Sequence, residues 1–189
     1  MLPISSIFFL KTYYYELKIV FSPSIYWIND IQPLRLAIMP RPKGGEWLKE
    51  EIMAWKANSI DCVVSLLEPQ EVRELELKQE PYLCAEVNIK FLSLPIADRG
   101  TPTSINEFSL ILDQAYDVLM QNKSVAIHCR AGIGRSGLFA ACLLHQLNTP
   151  FENIFPILSK ARNIVVPDTE EQIAWVKKYI FERNQSNQI

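Results

Sequence analysis

Ten consecutive residues combine a cysteine, two arginines and three glycines, which are groups suited to binding and attacking a phosphoryl group. They read His128-Cys129-Arg130-Ala131-Gly132-Ile133-Gly134-Arg135-Ser136-Gly137. A short apolar, β-branched run precedes them and an apolar helical pattern follows them. A loop between a strand and a helix can turn its backbone N–H groups inward, and the helix adds its positive N-terminal end. The sequence therefore predicts an anion-binding phosphate loop formed by residues 129–135, with these substrate-binding members: Arg130, Ala131, Gly132, Ile133, Gly134 and Arg135.

Cys129 is the candidate nucleophile of this phosphate loop. The helix dipole, the inward N–H groups and Arg135 all favour the thiolate, which is the reactive form. Arg135, six residues later, can hold two phosphoryl oxygens with its planar guanidinium, a geometry that lysine cannot match. Ser136 can donate its hydroxyl to Cys129 and stabilise the departing thiolate. We expect His128 to brace the loop by hydrogen bonding and not to act as an acid or base.

The ten residues match the HCx5R(S/T) signature, so the chain resembles the cysteine-dependent protein tyrosine phosphatase superfamily. The loop is similar to that of the tyrosine-specific enzymes, whereas the length of 189 residues resembles the smaller dual-specificity group. The order of predicted elements agrees with that fold over residues 25–183. The resemblance implies a phosphatase that forms a phosphocysteine intermediate, needs no metal or other cofactor, and acts on phosphorylated proteins.

This resemblance also implies a general acid on an upstream loop. The segment 94–102 is similar to the acid loop of the superfamily, and Asp98 is its candidate acid. Asp98 follows a predicted strand, where chemistry is expected in an open α/β sheet. It would protonate the leaving oxygen and then, once ionised, activate water against phosphocysteine. Farther along, the segment 166–172 resembles the place where some family members carry a water-positioning glutamine, which makes Gln172 a candidate supporting residue.

Proteins with other functions have related phosphate loops, so alternative functions remain open at this point. Lipid and inositol phosphate phosphatases of the superfamily typically carry lysines in the loop, whereas this loop has Ala131, Ile133 and no lysine. A phosphatase of small phosphorylated metabolites is a further alternative. A non-catalytic module that binds phosphoresidues would usually lack the cysteine, the arginine or the acid. The sequence favours singly phosphorylated protein side chains, either tyrosine alone or tyrosine with serine and threonine.

Strands and helices alternate around these motifs. Short apolar runs typical of strands covered on both faces occur at 62–67, 89–95 and 124–127, after two extended pieces at 25–28 and 34–38. The predicted helices are 46–57, a region broken by Pro81, 104–121, 136–147, 151–162 and 168–183. This alternation predicts an α/β fold in which a central, mostly parallel twisted sheet is flanked by helices on both faces.

Helix starts and the tryptophans give more local predictions. Ser104 with Glu107, and Asp168 with Glu171, have capping-box spacing at two predicted helix starts. The tryptophans that recur at helical spacing are predicted to be core residues: Trp47, Trp55 and Trp175.

The four cysteines form no CxxC pair, which argues against a zinc site or a secreted disulfide framework. We therefore expect a reducing compartment. The three cysteines outside the loop are predicted to be packed thiols, with disulfide trapping of oxidised Cys129 left as a hypothesis: Cys62, Cys84 and Cys142.

Composition and charge indicate which broad class of protein this is and which partners are not expected. With 49% hydrophobic and 21% charged residues the chain is an ordinary globular protein, and its net charge of -2 without a Lys/Arg block argues against nucleic acid partners. Charged residues interrupt the apolar N-terminal stretch, so no membrane span is predicted. We expect a cytoplasmic monomer with a catalytic domain at 25–184, an N-terminal segment of undetermined structure at 1–24, and a tail at 185–189.

Overall fold

A computed structural model describes residues 23–186 and contains one sheet of five strands in the order β1-β2-β5-β3-β4. The strands are β1 (Tyr26–Trp27), β2 (Arg35–Met39), β3 (Cys62–Ser65), β4 (Lys90–Ser93) and β5 (Ser124–His128). β1 pairs with β2 in the antiparallel sense, and all other neighbours pair in parallel. The mostly parallel sheet is therefore confirmed. Predictions for residues 1–22 and 187–189 lie outside the described residues, and the three-part division of the chain stays a prediction.

Helices cover both faces of this sheet, as predicted. They are α1 (Leu48–Ala57), α2 (Pro69–Glu74), α3 (Glu80–Glu86), α4 (Ile105–Met120), α5 (Gly134–Gln146), α6 (Phe151–Arg162) and α7 (Glu170–Ser186). Side chains of α1 and α3 form one core with one face of the sheet, and those of α4 to α7 form the second core with the other face. Within residues 23–186, no helix has the length and apolar character that crossing a membrane would require.

The central strands end at a common edge of the sheet. All four residues of β3 and all five of β5 are buried, as expected for parallel strands with helices on both faces. In the register, Met39 and Ser65 both pair with His128. The carboxyl ends of three neighbouring strands therefore meet where the chain enters Cys129, which is where open α/β sheets bind ligands.

Two local predictions are wrong. Trp47 is not a core residue, because its side chain is 51% exposed at the end of a 3-10 turn that precedes α1. The last helix begins at Glu170 and not at Asp168, and the N–H of Gln172 donates to the Thr169 hydroxyl at 3.2 Å. Thr169 therefore caps this helix in place of Asp168.

The other local predictions agree with the structure. Ser104 accepts a hydrogen bond from the N–H of Glu107 and caps α4. Trp55 is buried, and Trp175 packs against the second core by stacking on Tyr179. The helical region around Pro81 is divided in two, as predicted, but the break lies at residues 75–79, and Pro81 is in the first turn of α3, where proline is tolerated.

Candidate active site

The phosphate loop connects β5 to α5 and is packed against the end of β2. Gly132 has φ +69°, and a Cβ there would lie 2.5 Å from the backbone carbonyl group of Met39. Only glycine fits this close approach in the left-handed region. In the described part of the chain, the backbone N–H groups of residues 130–134 have no hydrogen-bond acceptor. The loop therefore offers a row of donors to an anion, as the sequence predicts.

Cys129 lies at the base of this loop and is only 3% exposed. Its Sγ is 3.4 Å from the hydroxyl oxygen of Ser136, which is buried in the first turn of α5. A hydroxyl and the positive N-terminal end of a helix thus lie next to the sulfur.

His128 is fully buried next to the nucleophile and does not line its pocket. Its Nε2 lies 2.9 Å from a carboxylate oxygen of the buried Glu80, and its ring is near that of Trp55. This position inside the first core supports a structural role for His128.

Arg135 is held by a carboxylate that was not predicted from the sequence. Glu71 of α2 accepts from Nη1 at 2.6 Å and from Nη2 at 2.9 Å, and the carbonyl of Ile96 accepts from Nη1 at 3.0 Å. Burial would lower the pKa of Arg135, but the hydrogen bonds from Arg135 to Glu71 and the charges of Cys129 and Asp98 raise it. The guanidinium is therefore fixed in place and stays charged.

The same contact between Glu71 and Arg135 lowers the pKa of Glu71. Burial raises it, but the hydrogen bonds from Arg135 and from the backbone of Glu68 outweigh that effect, so the pKa is lowered. The sequence contains one signal for this residue, a capping-box spacing of Glu68 and Glu71 that the structure confirms. That signal predicts a helix start and gives no indication of the contact with Arg135.

Asp98 lies on the turn after β4 with its side chain 60% exposed. Its Oδ1 accepts from Nη2 of Arg135 at 2.9 Å, and its backbone N–H donates to a carboxylate oxygen of Glu68 at 3.3 Å. The predicted acid and the predicted phosphate-binding arginine are thus in direct contact. A phosphoryl group that takes Nη2 would replace this carboxylate and leave it free to face the leaving oxygen.

Gln172 connects the acid loop to the start of α5. It is fully buried in the first turn of α7, and its Nε2 donates to the carbonyl of Gly100 at 3.1 Å. Its Oε1 is so near Gly134 that a Cβ there would lie 3.0 Å away. This oxygen has no hydrogen-bond partner among the described residues. Gln172 is therefore close enough to the loop to support the predicted helper role.

These groups surround a pocket of about 190 Å³. Its lining residues are Asp98, Arg99, Cys129, Arg130, Ala131, Gly134, Arg135 and Asp168. The structure thus brings the predicted nucleophile, arginine and acid together, while Gly132, Ile133, Ser136, His128 and Gln172 lie behind the lining. In the part of the chain that the structure describes, no group of three His, Cys, Asp or Glu side chains could hold a metal ion.

Comparison with known proteins relates this arrangement to phosphatases. Residues 37–148 match the family model described as "Tc-R-P: Polymorphic toxin system, DSP-PTPase phosphatase". The putative tyrosine phosphatase 197R of invertebrate iridescent virus 6 is 30% identical over 104 residues, which are 53% of this chain and 37% of that protein. The chain thus spans between 25% and 37% of the length of the curated relatives that it matches.

Two solved structures show the same fold. A kinase-associated phosphatase with its catalytic cysteine replaced by serine superposes with a TM-score of 0.76 at 22% identity, over 85% of this chain and 95% of that one. PTPMT1 in complex with PI(5)P superposes with a TM-score of 0.68 at 18% identity, over 86% of this chain and 98% of that one. At these identities the likeness supports the fold alone.

Proposed function

Because this chain belongs to the cysteine-dependent protein tyrosine phosphatase superfamily, close to the small dual-specificity phosphatases, we propose that it hydrolyses phosphate monoesters on proteins through a phosphocysteine intermediate. One observation carries the proposal: Cys129, Arg135 and Asp98 line a single small pocket beside a loop with free N–H donors. The nucleophile, the phosphate ligand and the proton donor that the reaction requires are thus all within one site.

In the first step, the Cys129 thiolate attacks phosphorus and the bond to the leaving oxygen breaks. Arg135 and the loop N–H groups hold the phosphoryl oxygens where negative charge is stabilised by donors that are already oriented. Asp98, displaced from Arg135, gives its proton to the leaving oxygen, without which an alkoxide or phenoxide leaves poorly. The products of this step are a free hydroxyl compound and phosphocysteine.

In the second step, water attacks phosphorus and the S–P bond breaks. Asp98, now ionised, accepts a proton from the attacking water, so one carboxyl group serves both steps. Gln172 is the candidate to orient that water: its Oε1 has no hydrogen-bond partner among the described residues, although in this structure it is buried between Gly100 and Gly134, behind the pocket lining. The Ser136 hydroxyl donates to the departing thiolate from its position 3.4 Å away, and inorganic phosphate leaves.

The dimensions of the pocket favour a singly phosphorylated side chain as the substrate. A volume of about 190 Å³ is below the ~300–1,000 Å³ that is usual for small-molecule sites, so the pocket accepts a phosphoryl group and little more of its ester. Arg130 is 3.8 Å from Glu71 and is partly neutralised by it. These features argue against a substrate whose several phosphates must all enter the site.

The decisive experiment is hydrolysis of an aryl phosphate by the reduced protein in the presence of a metal chelator. Wild type is compared with Cys129→Ser, and Cys142→Ser is the matched control because it changes another buried thiol of the same region. We expect activity in wild type and in the control, and none in Cys129→Ser. Wild-type protein that binds tungstate but hydrolyses no phosphate ester would instead support a non-catalytic binding module.

Substrate class is tested next with the active protein. Peptides that carry phosphotyrosine, phosphoserine or phosphothreonine are compared with inositol phosphates and small phosphorylated metabolites at equal concentration. We expect phosphotyrosine peptides to give the highest kcat/KM. A higher kcat/KM for an inositol phosphate or a metabolite would overturn the protein-substrate part of the proposal and leave the reaction itself intact.

A further inference from the structure

Arg162, the last residue of α6, binds the outer side of the phosphate loop. Its Nε donates to the carbonyl of Gly132 at 2.6 Å, and its Nη2 donates to the carbonyl of Ala131 at 3.2 Å. The chain separation is 30 residues and more, so this contact exists only in the folded protein. Two consecutive carbonyls of the phosphate loop are thus fixed by one side chain that does not line the pocket.

The direction of these carbonyls determines the direction of the next amides. In a trans peptide the C=O and N–H groups point to opposite sides. Since the carbonyls of Ala131 and Gly132 point to Arg162, the N–H groups of Gly132 and Ile133 point away from it. Those N–H groups have no acceptor among the described residues. We infer that Arg162 is a positioning residue that holds two backbone N–H donors in the orientation that binds a phosphoryl group.

Tyr26 of β1 holds the arginine itself. The guanidinium carbon of Arg162 lies 3.7 Å from the centroid of the Tyr26 ring, a cation–π contact. Because Tyr26 covers one side of the guanidinium plane, the in-plane N–H groups remain directed at the loop carbonyls. The short antiparallel strand therefore has a role in the site, although it contributes nothing to the pocket lining.

This arrangement matters because Arg162 is the side chain that donates to these two loop carbonyls. Gly132 has a positive φ, which glycine adopts without strain, and among the described residues no backbone N–H donates to the carbonyl of Ala131 or Gly132. A peptide that rotated would turn a carbonyl oxygen toward the bound anion and repel it. Loss of the arginine should therefore weaken oxyanion binding more than it weakens the fold.

The test compares Arg162→Met with Lys160→Met in the full chain. Lys160 is on the same helix and pairs with Asp30 at 2.7 Å, so its variant removes a charge and a link to the β1 region without touching the loop. Tungstate affinity is measured by calorimetry, and kcat and KM are measured with an aryl phosphate. We expect Arg162→Met to lose about 10–10²-fold in tungstate affinity and in kcat/KM, as small displacements in a site can cause, and Lys160→Met to change both by less than about twofold.

Two further variants separate positioning from a structural role. Arg162→Lys keeps one donor and should recover part of the tungstate affinity, whereas Tyr26→Leu should lose a smaller part of it. None of the variants should alter the dependence of rate on leaving group, because Asp98 is untouched. Wild-type tungstate affinity in a folded Arg162→Met protein would overturn the inference. If that variant does not fold, wild-type affinity in both Arg162→Lys and Tyr26→Leu would overturn it.

The inference rests on the proposed function, but the two can fail separately. Tungstate binding requires no turnover. If wild type hydrolyses nothing while its tungstate affinity still depends on Arg162, the phosphatase proposal fails and the positioning role stands. If wild type hydrolyses aryl phosphates and Arg162→Met equals it in both measurements, the positioning role fails and the phosphatase proposal stands.

Discussion

The two ends of helix α5 carry similar groups in opposite electrostatic settings. At the N-terminal end, buried Cys129 lies beside Ser136 and Arg135. At the C-terminal end, buried Cys142 lines a cavity with Arg183. Each end thus has a cysteine, an arginine and an open pocket. The difference is that unpaired backbone N–H groups of the phosphate loop follow the first thiol, whereas the last carbonyls of a helix create negative potential at the second end.

This comparison shows that neither burial nor cavity size identifies a reactive thiol. The cavity at the C-terminal end is about 470 Å³, more than twice the volume of the pocket at Cys129. Burial raises the pKa of Cys142 well above its ordinary value, and the charge of Arg183 lowers it too little to compensate. Arg183 is in turn engaged by Asp113 and by the hydroxyl of Tyr179. The Ser136 hydroxyl and the unpaired loop N–H groups next to Cys129 distinguish the two ends.

The largest expected difference between the two ends is in their arginines. Arg135→Lys should lower kcat/KM by about 10²–10³-fold, since loss of an oriented transition-state donor has that cost. Arg183→Lys should leave kcat/KM within about twofold, because its contacts with Asp113 and Tyr179 lie outside the site and a partly exposed ion pair contributes little. Steady-state kinetics with an aryl phosphate measures both. Equal losses in the two variants would contradict the assignment of Arg135.

A second test compares the acids that pair with these arginines. Asp98→Ala should slow esters with poor leaving groups by about 10²-fold, the lower end of general acid catalysis, and should affect good leaving groups much less. Asp113→Ala, the matched change beside Arg183, should leave the dependence on leaving group unchanged. A series of aryl phosphates of increasing phenol pKa provides the measurement. Parallel rate plots for wild type and Asp98→Ala would remove Asp98 as the acid.

The reactivity of Cys129 and of Cys142 can be compared in the wild-type protein, without any substitution. Iodoacetamide at neutral pH should modify Cys129 at least about tenfold faster than Cys142, because only thiolates react and burial keeps Cys142 protonated. Cys62 serves as an internal control, since burial raises its pKa to about 12. Peptide mass spectrometry after short labelling gives the order. Labelling of Cys142 at the rate of Cys129 in the folded protein would contradict the comparison.

The smallest expected effect concerns pH and the partner of Arg135. The pKa of Glu71 is lowered from the ordinary 4.5, so its stabilising contribution is present above that pH and is lost as pH falls through the lowered value. Wild-type stability should therefore fall more steeply below about pH 4.5 than that of Glu71→Gln. Glu74→Gln, on the same helix with an exposed hydrogen bond to Gln70, should follow wild type. Urea unfolding across this range gives the three curves, and identical curves would show that Glu71 is not coupled to Arg135.

The local features of this protein were predictable from its sequence. The strand, loop and helix that present Cys129, Arg135 and Ser136 are contiguous, so their relative positions follow from the backbone preferences of neighbouring residues. The strands themselves, though not their pairing, were likewise predictable as short apolar runs, and so was the cap at Ser104. Asp98 was predicted by resemblance to an acid loop, and the structure brings it within 2.9 Å of Arg135.

Contacts between distant residues were decided by the tertiary structure alone. Glu71 and Arg135 form their ion pair although they are 64 residues apart in the chain, and Arg162 donates to the carbonyl of Gly132 from 30 residues away. Neither contact has a periodic or spacing signal, because both depend on how helices pack around the sheet. The exposure of Trp47 also depends on that packing, whereas the cap at Thr169 is a local contact with Gln172 that has capping-box spacing of its own. The sequence by itself determined which groups could attack and bind phosphate, and only the packing of the helices decided which side chains hold those groups in place.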